Sequence, residues 1–330
     1  MSSFLKIIKW AGIALAIIAI FFIVFVQLSW NKKYDAPYPE VKASTDSSLI
    51  ARGKYIVYGP AHCATCHVSK DKETEAENGL EIPLTGGREF DLPIGTYYSS
   101  NLTPDPETGI GKLTDGEIAR TLRHSVGSDG RVIVPFMPFQ GLSDEDLTAV
   151  ISFLRSQEPV KNEVAKTKLN LLGKAIYAFG VLKPEGPKSD PPQKIAIDST
   201  VEYGHYIANY VANCVGCHTA RDMKTGEFIG EPFAGGLMLE PEPANKNYGF
   251  ITPNLTPDKE TGIMAHWDEA TFIKRFKAGK LLPVMGMPWG SFSRMNEVEL
   301  KAVYRYLQSL EPVKNKIPKV VFAPGEKFPH

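Results

Sequence analysis

Residues 63–67 read Cys63-Ala64-Thr65-Cys66-His67, and residues 214–218 read Cys214-Val215-Gly216-Cys217-His218. These two stretches hold all four cysteines of the 330-residue chain. C-x-x-C-H is the pattern of covalent c-type haem attachment. Two thiols one helical turn apart can each form a thioether with a haem vinyl group, and the histidine that follows points at the iron from the same face. Cys63, Cys66, Cys214 and Cys217 are therefore expected to bind two haem c groups covalently, with His67 and His218 as metal ligands. Other uses of cysteine fit less well. A structural zinc site takes four nitrogen or sulfur ligands, which two C-x-x-C pairs would supply with both histidines left over. A thioredoxin-like motif needs a βαβ setting that is absent, and a disulfide within either pair leaves the histidines unexplained.

The surroundings of the two motifs repeat. Gly53-Lys54-Tyr55-Ile56 recurs 151 positions later as Gly204-His205-Tyr206-Ile207. Asn101-Leu102-Thr103-Pro104-Asp105 recurs 153 positions later as Asn254-Leu255-Thr256-Pro257-Asp258, and Glu158-Pro159-Val160-Lys161-Asn162 returns as Glu311-Pro312-Val313-Lys314-Asn315. Self-similarity of this kind marks a duplication. The expected organisation is an N-terminal segment at 1–30, one domain at 45–165, a linker at 166–195 with a breaker-rich run from Lys183 to Pro192, and a second domain at 196–330.

Each copy reads as mainly α. Ser48 to Tyr58 has helical periodicity. Thr114-Asp115-Gly116-Glu117 opens a helix through about His124 with Thr114 as N-cap. Ser143 to Asp146 opens another through about Gln157, close to a capping box, with Ser143 as cap and Asp146 at the third helical position. Leu147, Val150, Ile151 and Leu154 form its core stripe, mirrored by Leu300, Val303, Tyr304 and Leu307. Alternating β-branched runs are scarce, so no sheet is expected.

A methionine opposite the histidine keeps a haem iron six-coordinate and raises its potential. Between Met1 and Met223 the only methionine is Met137, in Val134-Pro135-Phe136-Met137-Pro138, seventy residues after His67. Met287-Pro288 is the matching dipeptide, sixty-nine residues after His218, with Met285 as the rival ligand. The remaining histidines do not hold their chemistry across the repeat: His62 is mirrored by Asn213 and His205 by Lys54. The Asn-Leu-Thr-Pro-Asp run reads as a turn. Asn101 and Asn254 are also candidates to donate hydrogen bonds to a haem propionate or an axial group.

From Trp10 to Leu28 runs a nineteen-residue stretch with Gln27 its only strongly polar side chain. Roughly 20 apolar residues span a bilayer core as a helix. A cleaved signal peptide is the alternative, but Val26-Gln27-Leu28-Ser29-Trp30 makes a poor cleavage site. The rest of the chain is polar enough, with an overall mean hydropathy of −0.15, to exclude a polytopic membrane protein. With 37 basic and 37 acidic residues and 43 % hydrophobic residues, it has neither the basic excess of a nucleic-acid binder nor the composition of a disordered chain. The acidic run from Asp71 to Glu77 reads as a solvated loop. The apolar segment 169–182 is expected to pack at the domain interface, with the bilayer surface as the alternative.

The run Asn101 to Asp105, Thr108-Gly109-Ile110-Gly111, Asp115-Gly116-Glu117, Pro135-Phe136-Met137-Pro138 and Leu142 to Leu147 resembles the domain of the membrane-bound cytochrome c subunits of bacterial alcohol, aldehyde and gluconate dehydrogenases. The pattern occurs twice and covers nearly all of residues 48–315. The resemblance implies two tandem class-I-like cytochrome c domains behind an N-terminal transmembrane helix, with His67/Met137 and His218/Met287 as axial pairs. Those subunits typically carry three haem motifs and attach near the C-terminus, whereas this chain has two motifs and an N-terminal apolar helix. The expected function is that of an electron carrier, not an enzyme. It would be anchored in the bacterial inner membrane with its domains in the periplasm. It would pass electrons singly between a periplasmic or membrane dehydrogenase and the respiratory chain. The alternatives are a subunit of an oxidase or quinol-oxidising complex, or a dihaem enzyme of peroxidase or thiosulfate dehydrogenase type. Such an enzyme needs an iron with an open position, which the paired methionines oppose.

Overall fold

In the computed structural model, which describes residues 2–222, 226–241, 246–281 and 286–329, the apolar N-terminal stretch is one helix, α1 (Ser2–Ser29). Its apolar side chains stand exposed along most of its length, and its length and composition suit a membrane span.

The first copy is built from α2 (Ser47–Tyr58), α3 (Glu73–Glu77), α4 (Asp115–His124) and α5 (Asp144–Ser156). After α6 (Leu171–Ala178), the second repeats the plan with α7 (Val201–Tyr206), α8 (Cys214–Cys217), α9 (Glu269–Lys277), α10 (Trp289–Phe292) and α11 (Glu297–Gln308). The repeated Gly-x-Tyr-Ile has a packing reason. A Cβ on Gly53 would lie 1.9 Å from the Ala149 carbonyl oxygen of α5, and one on Gly204 would lie 2.0 Å from that of Ala302 on α11. Glycine is what lets α2 meet α5, and α7 meet α11, backbone to backbone.

The helix starts follow the sequence reading in α4 and depart from it in α5. Thr114 Oγ1 accepts from the Glu117 N–H at 3.2 Å while the Glu117 carboxylate accepts from the Thr114 N–H at 2.7 Å, a complete capping box. In α5 only half forms. Ser143 Oγ accepts from the Asp146 N–H at 3.1 Å, but Asp146 turns away to Arg52 and Tyr206. The Ser143 N–H donates instead to the Tyr206 hydroxyl at 3.0 Å.

Two small antiparallel sheets, not expected from the sequence, flank the helices. In the first, β1 (Glu89–Leu92), β2 (Gly95–Tyr98) and β3 (Lys168–Leu169) lie in that order, with Phe90 opposite Tyr97 and Thr96 opposite Lys168. In the second, β4 (Met238–Leu239), β5 (Gly249–Ile251) and β6 (Val321–Phe322) do likewise, with Leu239 and Val321 on either side of Phe250. Strands of two to four residues are too short for alternation to register as a pattern. The chain's return after the last helix of each copy supplies the pairing.

One hydrophobic core runs through both copies, joining Ile56, Leu147 and Ile151 to Ile207, Leu300 and Leu307. Across it the copies exchange hydrogen bonds in a pseudo-twofold arrangement. Tyr206 donates to Asp146 at 2.8 Å, and Tyr55, its equivalent, donates to Glu299, the equivalent of Asp146. Arg52 completes the network with a two-point contact to Asp146 at 2.9 and 3.0 Å and a third bond to Glu299 at 2.9 Å. The acidic run after the first motif is partly used here too, because Glu77 pairs with Lys280 of the other copy at 2.6 Å. Segment 169–182 is not at this interface: α6 packs on α1.

Candidate functional site

Each attachment motif is a single tight turn. The His67 N–H donates to the Cys63 carbonyl at 2.9 Å, and the His218 N–H donates to that of Cys214 at 2.8 Å. The chain enters each turn through a left-handed residue, His62 with φ 42° and Asn213 with φ 51°. Asn and His tolerate that region better than most side chains. Backbone conformation, not ligand chemistry, is therefore what this pair of positions shares. The four cysteines are free of disulfides. Burial, reinforced by the neighbouring thiol, pushes Cys63 and Cys214 each up to about 12. Among the described residues no three or more His, Cys, Asp or Glu side chains converge to hold a metal, so the two pairs do not combine into a zinc site.

The histidines are oriented in the same way in both copies. His67 Nδ1 donates to the Ser100 carbonyl at 2.8 Å, and His218 Nδ1 donates to the Pro253 carbonyl at 3.0 Å. That bond settles the tautomer and leaves Nε2 as the free lone pair, the usual arrangement behind a metal-ligating imidazole. Burial lowers both histidines' affinity for a proton, against the pull of the carbonyl, which keeps the rings neutral and able to ligate.

Ser100 and Pro253 immediately precede Asn101 and Asn254, and the repeated loop explains why those carbonyls stay in place. Asn101 Nδ2 donates to Thr108 Oγ1 and the Val160 carbonyl at 3.2 and 2.9 Å, while its Oδ1 accepts from the Thr103 N–H and hydroxyl at 2.9 and 2.8 Å. Asn254 makes the same four bonds to Thr261, Val313 and Thr256. Both side chains are buried, with donors and acceptors committed to the turn. The haem contact expected of them has no donor left. The glycine pair opposite closes the loop: Gly86 and Gly235 have φ of 67° and 74°, and a Cβ on either would lie within 2.5 Å of the Ser100 or Pro253 peptide.

Met137 and Met287 occupy matched turns. The Phe139 N–H donates to the Met137 carbonyl at 3.0 Å, and the Trp289 N–H donates to the Met287 carbonyl at 2.8 Å. Pro288, with φ −76° and ψ 61°, is the centre of an inverse γ-turn. Both methionines are half-buried against the core. Met285 lies outside the described residues.

Around the second motif is a cavity of about 590 Å³, within the range of roughly 300–1,000 Å³ usual for cofactor pockets. Cys214, Cys217, His218 and Met287 line it, with Leu255, Phe272 and Phe276 as apolar walls. Arg221 also lines it, and its buried Nε has no partner among the described residues, a free donor suited to an anionic edge. Thiols, a free imidazole nitrogen, a thioether, apolar walls and a cationic rim suit a covalently held haem with its carboxylates. His62, Thr65, Arg88 and Phe136 of the first copy line the same cavity, so the surroundings of the first motif open directly onto the second site.

The sequence model of cytochrome c matches residues 50–158 and again 205–311. The chain belongs to the cytochrome c family. Its two cytochrome c domains correspond to two covalently bound haem c groups. It is 29 % identical, over 81 % of its length, to the cytochrome c subunit of a quinone alcohol dehydrogenase from Gluconobacter oxydans. It is 26 % identical, over 83 %, to the cytochrome subunit of a fructose dehydrogenase from Gluconobacter japonicus, and 24 % identical, over 80 %, to a diheme cytochrome c-type protein from Cereibacter sphaeroides. The chain spans about half the length of the two dehydrogenase relatives, 56 % and 55 %, and 86 % of the diheme protein.

Proposed function

We propose that this cytochrome is a membrane-anchored dihaem electron carrier. It takes electrons one at a time from a dehydrogenase and delivers them to the respiratory chain. In this reading Cys63 and Cys66 bind one haem and Cys214 and Cys217 the other. His67 with Met137, and His218 with Met287, are the axial pairs. The domains extend over 45–165 and 196–330, joined by the linker 166–195. The retained α1 crosses the bacterial inner membrane once, placing both domains on the periplasmic side, where c-type haem is attached.

Each haem, when bound, supplies a one-electron Fe(III)/Fe(II) couple. The chain's residues do the rest. The cysteines make attachment permanent. The carbonyls of Ser100 and Pro253 hold the imidazoles in one tautomer and raise their basicity. A methionine thioether, where it binds the iron, would raise the potential. The cavity around the second motif is lined in part by His62, Thr65, Arg88 and Phe136 of the first copy, which supports transfer between the two sites.

The observation that carries this reading is the twofold repetition of the candidate ligand set, with each histidine held by its own copy of the repeated loop. An enzyme that binds substrate at iron needs an open or displaceable position there, which a methionine available in both copies opposes. The dehydrogenase as donor is supported by the alcohol and fructose dehydrogenase relatives. The test is purification in mild detergent from native membranes, followed by mass spectrometry of stoichiometric companions. A large dehydrogenase subunit is the expected companion; oxidase or quinol-oxidising subunits alone would overturn the assignment of the donor.

A further inference from the structure

The short helix α6 is the feature that neither the haem sites nor the domain interface uses. It is held from two sides. On one, Asn170 caps it by accepting from the Gly173 N–H at 2.9 Å while its Nδ2 donates to the Pro93 carbonyl at 2.8 Å, in the turn between β1 and β2. The adjoining β3 pairs with β2. On the other side α6 rests against the C-terminal end of α1. The ring of Phe179 lies 6.0 Å from that of Phe22 and 5.2 Å from that of Phe25. Lys174 Nζ donates to Gln27 Oε1 at 2.8 Å and sits 5.5 Å from the Trp30 ring.

The contact with α1 fixes depth. The apolar stretch of α1 ends at Leu28, and a helix rises about 1.5 Å per residue. Phe25 and Phe22 therefore lie roughly 4 and 9 Å inside that end, and Phe179, packed on both, lies within the hydrocarbon whenever α1 spans it. The side chains around Phe179 suit that position. Leu171, Leu172, Phe179 and Val181 are 45, 56, 57 and 68 % exposed, large apolar side chains that the described residues leave uncovered at both ends of α6. Lys174, Lys32, Trp30 and Tyr34 lie beside Gln27 and the end of α1, where cations and amphipathic aromatics meet headgroups. An apolar face with a cationic flank is the signature of a helix lying in the membrane surface.

We propose that α6 is a second, monotopic membrane contact. Leu171, Leu172, Phe179 and Val181 insert into the outer leaflet beside α1, and the first cytochrome c domain is thereby held at one height and one tilt against the bilayer. Because α6 is bonded to the β1–β2 turn of that domain, α1 is a rigid post and not a tether. This rests on α1 being the retained anchor, and the test separates the two ideas.

The full-length haem-loaded protein, whose native cysteines are consumed by thioether bonds, is spin-labelled at single introduced cysteines and placed in nanodiscs of phosphatidylethanolamine and phosphatidylglycerol. Collision rates with oxygen, which partitions into lipid, and with a water-soluble nickel chelate give the depth of each label. Leu172→Cys and Val181→Cys change exposed side chains and leave the packing intact. Both labels are expected to favour oxygen over nickel, as Ile17→Cys on α1 does, while Glu311→Cys in the second domain favours nickel. If Ile17→Cys is deep but both α6 labels favour nickel, the anchor stands and α6 is not in the membrane. If both α6 labels are shielded from oxygen and nickel alike, the patch is a protein interface and the proposal fails. If Ile17→Cys itself favours nickel, the anchor reading fails first.

Discussion

At the scale of single residues, the functional side chains announce themselves and their supports do not. Cys63, Cys66, His67 and their counterparts are recognisable because thioether chemistry and iron ligation need those side chains at that spacing. Ser100 and Pro253 are not recognisable, because what they contribute is a backbone carbonyl that any residue has. The neighbouring Asn101 and Asn254 attract notice in their place, and the structure gives them the adjacent task of holding the turn. Replacing Asn101 with Ala removes four hydrogen bonds and leaves the Thr103 N–H without its partner. A loss of about 1–3 kcal/mol is expected, read as a lower urea midpoint. A changed potential of the first haem at unchanged stability would return Asn101 to the haem. For the proposed axial ligands, Met287→Ala is expected to halve the thioether-to-iron absorption of the ferric protein and to let the ferrous protein bind one carbon monoxide per chain. Met285→Ala is expected to leave both signals unchanged, and the reverse pattern would exchange the two methionines.

At the scale of elements, local chemistry and close packing decide different things. Thr114 and Glu117 cap α4 from within the local sequence, and among the described residues nothing distant competes for them. Ser143 and Asp146 carry nearly the same signal, yet Asp146 is drawn off by Arg52 and Tyr206, which lie 94 and 60 positions away in the chain. The helix start survives because the Tyr206 hydroxyl takes over the orphaned Ser143 N–H. Gly204 illustrates packing. Its missing Cβ is the space in which the Ala302 carbonyl sits, so Gly204→Ala must push α7 away from α11. Overpacking of this kind costs about 1–3 kcal/mol. The expected outcome is a lower thermal midpoint, and an unchanged midpoint would mean that the helix crossing is looser than described.

At the scale of the whole molecule, the shared core predicts that the two domains unfold together. They share a core, and the ion cluster at its centre is shielded: the Glu299 side chain is 0 % exposed and that of Arg52 is 15 % exposed. Burial disfavours the Arg52 charge, but its bonds to Asp146 and the charge of Glu299 outweigh that and keep the guanidinium ionised. Removing Glu299 leaves Arg52 paired with Asp146 but takes the shared acceptor away from Arg52 Nη1 and the Tyr55 and Tyr203 hydroxyls. Glu299→Ala is therefore expected to destabilise the protein by about 1–3 kcal/mol for each buried donor left unsatisfied, with both haem environments lost together in a denaturant titration followed by absorbance. Loss of the second alone would show that the domains unfold independently.

What the sequence by itself determined is whatever depends on side-chain identity at short range: the attachment motifs, the paired methionines, the duplication, the helix caps and the apolar span. What only the tertiary structure decided depends on groups far apart in the chain. These are the carbonyls behind the histidines, the ladders of two to four residues, the exchange of tyrosines and carboxylates between the copies, and the seating of α6 on α1 instead of between the domains. The physical reason is common to all four. A backbone carbonyl, a two-residue strand or an apolar face carries no record of its partner, and the partner is chosen only when the chain closes and each buried polar group must find one.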